Sequence, residues 1–170
     1  MIGNCMLAVQ KAAELKRKFK TSDPFVIAEG LGISVRYADS FKQLKGMYTV
    51  IARNRFIFLN ANNSAEVNRI VCAHELGHDR LHRALAQSAP MKEISLWNVS
   101  SACEYEANLF AAELLLSGEE ILSLSSLGKS CEQIAAITET DANLVALKVE
   151  SLIHAGYTLQ MPSYENRFLK

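Results

Sequence analysis

Apolar positions recur at helical spacing through the start and the second half of the chain, with a short stretch of β character between them. From about Asn4 to Phe19 the apolar side is Met6, Val9, Ala13, Leu15 and Phe19. The far end of this segment is basic, with Lys11, Lys16, Arg17, Lys18 and Lys20. Basic charge suits a helix C-terminus; a docking patch for an acidic partner or DNA is the functional alternative. Asp23-Pro24 restarts a helix with cap and first-turn preferences both met, and Gly30 or Gly32 stops it. Ile33 to Tyr37, Gly46 to Ala52 and Arg55 to Leu59 read as strands. Arg53-Asn54 is the tight link of a hairpin. One edge of such a sheet could hold an extended peptide by strand addition. A helix follows, capped by Asn63 or Ser64, with Val67, Ile70, Val71, His74, His78, Leu81 and Leu85 at spacings of three or four.

From Arg83 to Ser101 the periodicity breaks. Ser88, Pro90, Ser95, Asn98 and Ser100 are loop-like, whereas Ile94, Leu96 and Trp97 are apolar. Such a connection serves either as a lid over a site or as a loop tucked into the core. Ser101 opens another helix, with Glu104 three residues on. Ser130 and Gln133 form a capping box before Ile134, Ala135 and Ile137. Thr140-Asp141 restarts a helix through Leu144, Val145, Leu147, Val149, Leu152 and Ile153 to Gly156. The last two helices outline a helix-turn-helix. Asp141 to Glu150 carries one lysine and no arginine, which is poor for phosphate contacts. Packing, or docking of a substrate protein, is favoured there over DNA binding. The pattern predicts an α+β fold: about three strands in a small, antiparallel-containing sheet, a central helix and a C-terminal helical part.

At 170 residues the chain is read as one domain over 1–170, with a core at 1–125 and a helix-turn-helix-like C-terminal helical subdomain at 126–170. Its formal net charge is zero, which argues against broad nucleic-acid binding. The four cysteines, Cys5, Cys72, Cys103 and Cys131, form no C-x-x-C pair. They read as free thiols of a cytoplasmic protein. There is no signal-peptide pattern and no apolar run able to span a bilayer, so no membrane partner is expected.

The chemistry concentrates in His74-Glu75-Leu76-Gly77-His78. Two histidines four residues apart lie on one face of a helix, where both imidazoles can reach a single cation. Zinc suits neutral imidazole nitrogens and tetrahedral geometry. Glu75 points about 100° around the helix from His74, badly aimed for the same metal and well aimed for a water beside it. The competing reading is a core helix that happens to carry these residues. Gly77, costly in mid-helix, implies close approach of another backbone or of a substrate. His82 lies about 12 Å along the axis from His74, too far to share one ion, and reads as a supporting or surface residue.

A third ligand is sought on the helix after Ser101. Glu104 and Glu106 both qualify, and two residues apart they face different sides. Glu104 is the better placed, sharing a face with Ala107, Asn108 and Ala111; Asn108 could then orient a metal-binding histidine. Glu104 could instead serve only as a capping-box residue for Ser101, and Glu106 and Glu113 as solvated helix charge.

Taken together, the chain resembles the ImmA/IrrE family of small bacterial and phage zinc metallopeptidases. The resemblance rests on Leu59-Asn60 running into the helix, on His74-Glu75-Leu76-Gly77-His78 with His82 beyond, and on the run from Glu104 to Leu115. It covers about Pro24 to Leu116. It implies a compact zincin-like fold, Zn²⁺ held by two histidines and a glutamate, and Glu75 as general base. Family members typically act as regulatory proteases that cut a helix-turn-helix repressor, often encoded beside them on a phage or mobile element or in a stress-response locus. Two departures stand out. Leu116-Ser117 replaces the usual methionine-proline, and Ser117 with Glu120 can cap the next helix instead. Asp79-Arg80 follows the motif where relatives are often apolar, which predicts a wetter surface or a partner contact.

The expected activity is therefore zinc-dependent endopeptidase action on a protein substrate, with His74, His78 and Glu104 on the metal and Glu75 handling the proton. Tyr48, Tyr105, His82 and His154 are oxyanion-donor candidates by residue type alone. The alternative is a metal-binding regulator that acts by partner contact and never cuts. A purely structural site would favour four protein ligands and have no use for Glu75.

Overall fold

Local signals set most helix starts. Asp23 accepts the N–H groups of Phe25 and Val26, and Pro24 opens the short helix α2 (Pro24–Gly30). Before it runs α1 (Ile2–Phe19). Its buried line is Ala8, Ala12 and Leu15. Leu15 is buried, and Val9 and Phe19 pack against the core, as expected, whereas Met6 is 59% exposed and Ala13 is exposed. Small residues let α1 lie close on a later helix, which a Met-lined face would hold off.

The computed structural model describes residues 2–87, 90–93 and 101–159. The three expected strands are β1 (Ile33–Ala38), β2 (Gly46–Ile51) and β3 (Asn54–Asn60). Strand β1 pairs parallel with β3, and β2 and β3 form an antiparallel hairpin. The hairpin link is Ala52-Arg53, one residue earlier than expected, because Ile51 pairs with Asn54. Both link residues take positive φ, 48° and 67°. A two-residue link must twist that way to match the strands, although neither residue favours it.

Asn60 ends β3 and ties down the connections around it. Its amide donates to the carbonyls of Phe41 and Leu44, and its side-chain oxygen accepts from Asn62. Ser64 then caps α3 (Ala65–Leu81) by accepting the Val67 N–H. A short α4 (Arg83–Ala86) and β4 (Met91–Glu93) follow. Strand β4 pairs antiparallel with β2, giving the order β1-β3-β2-β4, so the mixed sheet gains a short fourth strand inside the stretch read as loop. Ser88, Ile94, Ser95, Leu96, Trp97, Asn98 and Ser100, on which the lid reading depended, lie outside the described residues.

Helix α5 (Ala102–Leu115) is capped by Ser101 and packs against both α1 and α3. Leu116-Ser117 leads into α6 (Gly118–Ser126), whose first turn Ser117 caps through the Glu120 N–H. The Ser130–Gln133 capping box opens α7 (Cys131–Thr138), and Asp141 caps α8 (Ala142–His154). Leu144 to Val149 are buried, and Lys148 pairs with Glu113 at 2.7 Å. Glu113, expected as solvated charge, is thus a buried partner that holds α8 to α5. No helix among the described residues is long and apolar enough to cross a membrane.

Candidate metal centre

Helix α3 crosses the sheet with its motif inward, and His74, Glu75 and His78 are all buried. Helix α5 lies across it at close range. A Cβ built on Gly77 would stand 3.0 Å from the Ala107 Cα and 3.2 Å from its carbonyl oxygen. The bare backbone at Gly77 therefore sets how near α5 can come. At that approach the Glu104 carboxylate reaches both imidazoles, 3.2 Å from His74 Nε2 and 3.5 Å from His78 Nε2. The two Nε2 atoms are 3.0 Å apart.

The donor set fits a small cation. Ligand atoms of the three residues all lie within 4.8 Å of one another. Two atoms bound tetrahedrally to one zinc ion at 2.0–2.1 Å would be about 3.3 Å apart, and the three observed separations straddle that spacing. The tautomers agree as well. His74 Nδ1 is 2.8 Å from the Asn108 side-chain oxygen, which can only accept. Neutral His74 then carries its proton on Nδ1 and turns the Nε2 lone pair toward the cluster. Burial pushes the His78 imidazole down to about 4, against the raising effect of Glu104, so it too is neutral near pH 7. Burial alone would raise the Glu104 carboxyl, but the two imidazoles beside it hold it below the usual range. Neutral imidazoles and an ionised carboxylate are the states a metal requires.

Glu75 is fully buried on the sheet side of α3. A Cβ on Gly46 would come within 3.1 Å of its Oε1 and 2.3 Å of Val71 Cγ1. Only glycine at the start of β2 leaves room for both α3 and this carboxylate. Ser101 caps α5 by accepting the Glu104 N–H at 3.4 Å, but the Glu104 side chain turns to the histidines, not back to the cap. Glu106 goes elsewhere. It is buried, and its Oε2 lies 2.9 Å from His82 Nε2. Of the sequence-derived site residues, the fold gathers His74, His78 and Glu104 and leaves Glu106 one level further along α3.

Asp79 corrects an expectation. It is 1% exposed, a buried carboxylate ringed by three partly exposed arginines. Its Oδ1 accepts from the Tyr48 hydroxyl at 2.7 Å and from Arg55 at 3.2 Å, and its Oδ2 accepts from Arg83 at 3.0 Å. This cluster pins the last turn of α3 to β2, β3 and α4. Burial and then Asp79 push the Tyr48 hydroxyl far above its ordinary range, so it remains a donor to Asp79. Of the oxyanion-donor candidates, Tyr48 thus meets Asp79 and His82 meets Glu106. His154 lies exposed in the last turn of α8, and Tyr105 is half-buried on α5. Arg83, four positions on, is a local partner that spacing could have suggested; Tyr48 and Arg55, 31 and 24 positions upstream, could not have been found by a residue-by-residue scan.

Residues 28–149 match the family described as the IrrE N-terminal-like domain, the M78 peptidases. The chain belongs to that family. The M78 match covers α3 and α5 in full, and with them every residue of the His74–His78–Glu104 group. M78 proteins are typically metal-dependent peptidases, and this group could hold the metal. The chain is also similar to immunity region protein 2 of Bacillus phage phi105. The two are 36% identical over 141 residues, covering 83% of this chain and 86% of the phage protein.

Proposed function

We propose that this M78 protein is a zinc-dependent endopeptidase that regulates transcription by cutting a protein substrate, a helix-turn-helix repressor. His74, His78 and Glu104 hold the zinc ion and Glu75 is the general base. The observation that carries this reading is the convergence of three metal-compatible side chains, two from α3 and one from α5, with Glu75 buried on the same helix next to His74 in sequence. Three ligands leave a coordination position open, as catalysis requires.

Zinc supplies Lewis acidity there, polarising a peptide carbonyl and making water acidic enough to attack near neutral pH. Glu75 accepts the proton of the attacking water on a carboxylate oxygen and delivers it to the departing amine. Asn108 holds the His74 ring by its Nδ1–H. The space at Gly46 keeps Glu75 from being pushed off line. The regulatory part draws support from the phage immunity-region relative. Four free cysteines suit a cytoplasmic site of action. The burial of α8 favours a protein partner over DNA.

The test is cleavage of the helix-turn-helix protein encoded beside this chain, by zinc-loaded wild type and by Glu75→Gln, with metal content measured in both. Cutting by wild type alone, at equal zinc content, supports the peptidase. Equal binding of the partner without cutting by either protein would make the chain a metal-binding regulator.

A further inference from the structure

Strand β1 stands at one end of the order β1-β3-β2-β4. One of its edges pairs with β3, and the other meets no strand among the described residues. The strand is six residues long, keeps unbroken register with β3 and contains no proline. Arg36 is its one charged residue. A sheet edge left so lightly guarded readily adds a strand. Tyr37 on the strand and Val26 on the neighbouring α2 are 61% and 48% exposed. Between α2 and this edge runs a groove of about 480 Å³, lined by Phe25, Glu29 and residues 32–36.

We infer that the occupant of this edge is a second copy of the chain, its β1 paired antiparallel with the first about a two-fold axis at Val35. The groove is charge-complementary to itself. Glu29 and Arg36 both line it and both are exposed. Neither has an ion-pair partner among the described residues. An occupant that satisfies both must bring one anion and one cation, and another copy brings that pair. Under a two-fold axis Arg36 of one protomer turns toward Glu29 of its partner, and the contact is made twice.

The pleat selects the register. A two-fold axis normal to the sheet keeps each residue on its own face, and directly opposed residues share a face. The axis must therefore pass through a residue and not between two. Centred on Arg36, the pairing would set that residue opposite itself, and like charges directly opposed destabilise. Centring on Ser34 or Tyr37 shortens the overlap. At Val35 the residue meets its own copy, Ile33 meets Tyr37, and Ser34 meets Arg36. Ile33, Val35 and Tyr37 share the face of Ile57 and Leu59, which are fully buried, so the new contacts there are apolar. Ile33 with Tyr37 is a favourable β-branched and aromatic pair. Ser34 is small and close in sequence to the end of α2, so the Arg36 side chain opposite it has room to reach Glu29. Strand β3 separates this edge from β2, whose Gly46 abuts Glu75, so pairing at β1 makes no use of the metal centre.

The test is sedimentation velocity of the full chain over a concentration series, for wild type, Glu29→Arg, Arg36→Glu and an equimolar mixture of the two variants. Folding is checked by circular dichroism; both positions are exposed, so neither change endangers the fold. The wild-type mass should rise with concentration from 18.8 kDa toward twice that value. Hydrogen exchange at the outward-facing amides between Ser34 and Tyr37 should slow in step. Each variant alone sets like charges against each other at both contacts, which should weaken association about tenfold. The mixture should associate as wild type does, because each variant supplies the sign the other has lost. A wild type that stays monomeric throughout overturns the inference. So do single variants that dimerise as wild type does, a mixture that fails to recover, or a dimer whose β1 amides exchange as fast as the monomer's.

Discussion

Ala107 packs against the bare backbone of Gly77, so close that a single added carbon at Gly77 would sit 3.0 Å from the Ala107 Cα. That contact sets the distance between α3 and α5, and hence the reach of Glu104 to the histidine pair. Gly77→Ala improves helix propensity by about 1 kcal/mol. Against this, backbone atoms of α5 must move, and overpacking of this kind costs about 1–3 kcal/mol. The expected outcome is a net loss of stability in urea titration together with weaker zinc binding. A variant more stable than wild type, with full zinc affinity, would show that α5 yields freely.

The Asp79 cluster makes a separate prediction. Asp79→Ala strips the fully buried acceptor from Tyr48, Arg55 and Arg83 at once. Loss of one partner from a fully buried pair costs about 3–5 kcal/mol. Arg55 and Arg83 keep contact with solvent, their side chains being 21% and 41% exposed, so the expected loss is about 2–3 kcal/mol. Chemical denaturation measures it, and a loss below about 1 kcal/mol would mean the cluster behaves as an ordinary surface network.

Acid should weaken the metal-free protein in two stages. Burial holds folded His78 at about 4, below the 6.5 of an unexposed-to-fold histidine. Between those values the unfolded chain binds the extra proton, so the stabilising contribution is complete above pH 6.5 and gone below pH 4. Its size is bounded by roughly 3 kcal/mol. Glu104, held below its ordinary range, adds a second loss as pH falls past the usual carboxylate range. Denaturation midpoints from pH 7 to 4 should fall in wild type. They should fall less in His78→Phe, and a parallel decline in both would remove His78 as the cause.

The hairpin offers a stabilising change. Ala52 and Arg53 both hold positive φ, a conformation that Asn-Gly adopts far more readily. Replacing Ala52-Arg53 by Asn-Gly should add about 1 kcal/mol, raising the melting temperature by about 2–4 °C. No change in melting temperature would mean that the flanking strands already determine the turn.

Much of this was legible because it is local. The four-residue spacing of His74 and His78 puts them on one face of any helix, whatever surrounds it. Ser64, Ser101, Ser117, Ser130 and Asp141 each cap a helix using atoms two or three residues away. The apolar rhythm of the strands and of α3 requires only that one face be buried. Tertiary structure decided what depends on the other side of a contact. Which of Glu104 and Glu106 faces the histidine pair follows from how α5 lies on α3, and Gly77 sets that approach. Glu113 and Asp79 read as surface charges because a carboxylate has no local sign of burial. Their distant partners, Lys148 on α8 for Glu113 and Tyr48 and Arg55 for Asp79, are supplied by packing. Periodicity could say that α1 buries a face, but Ala8 and Ala12 were chosen over Met6 by the closeness of α5. Sequence spacing determines what a helix can present, and the packed neighbour determines which of those side chains it meets.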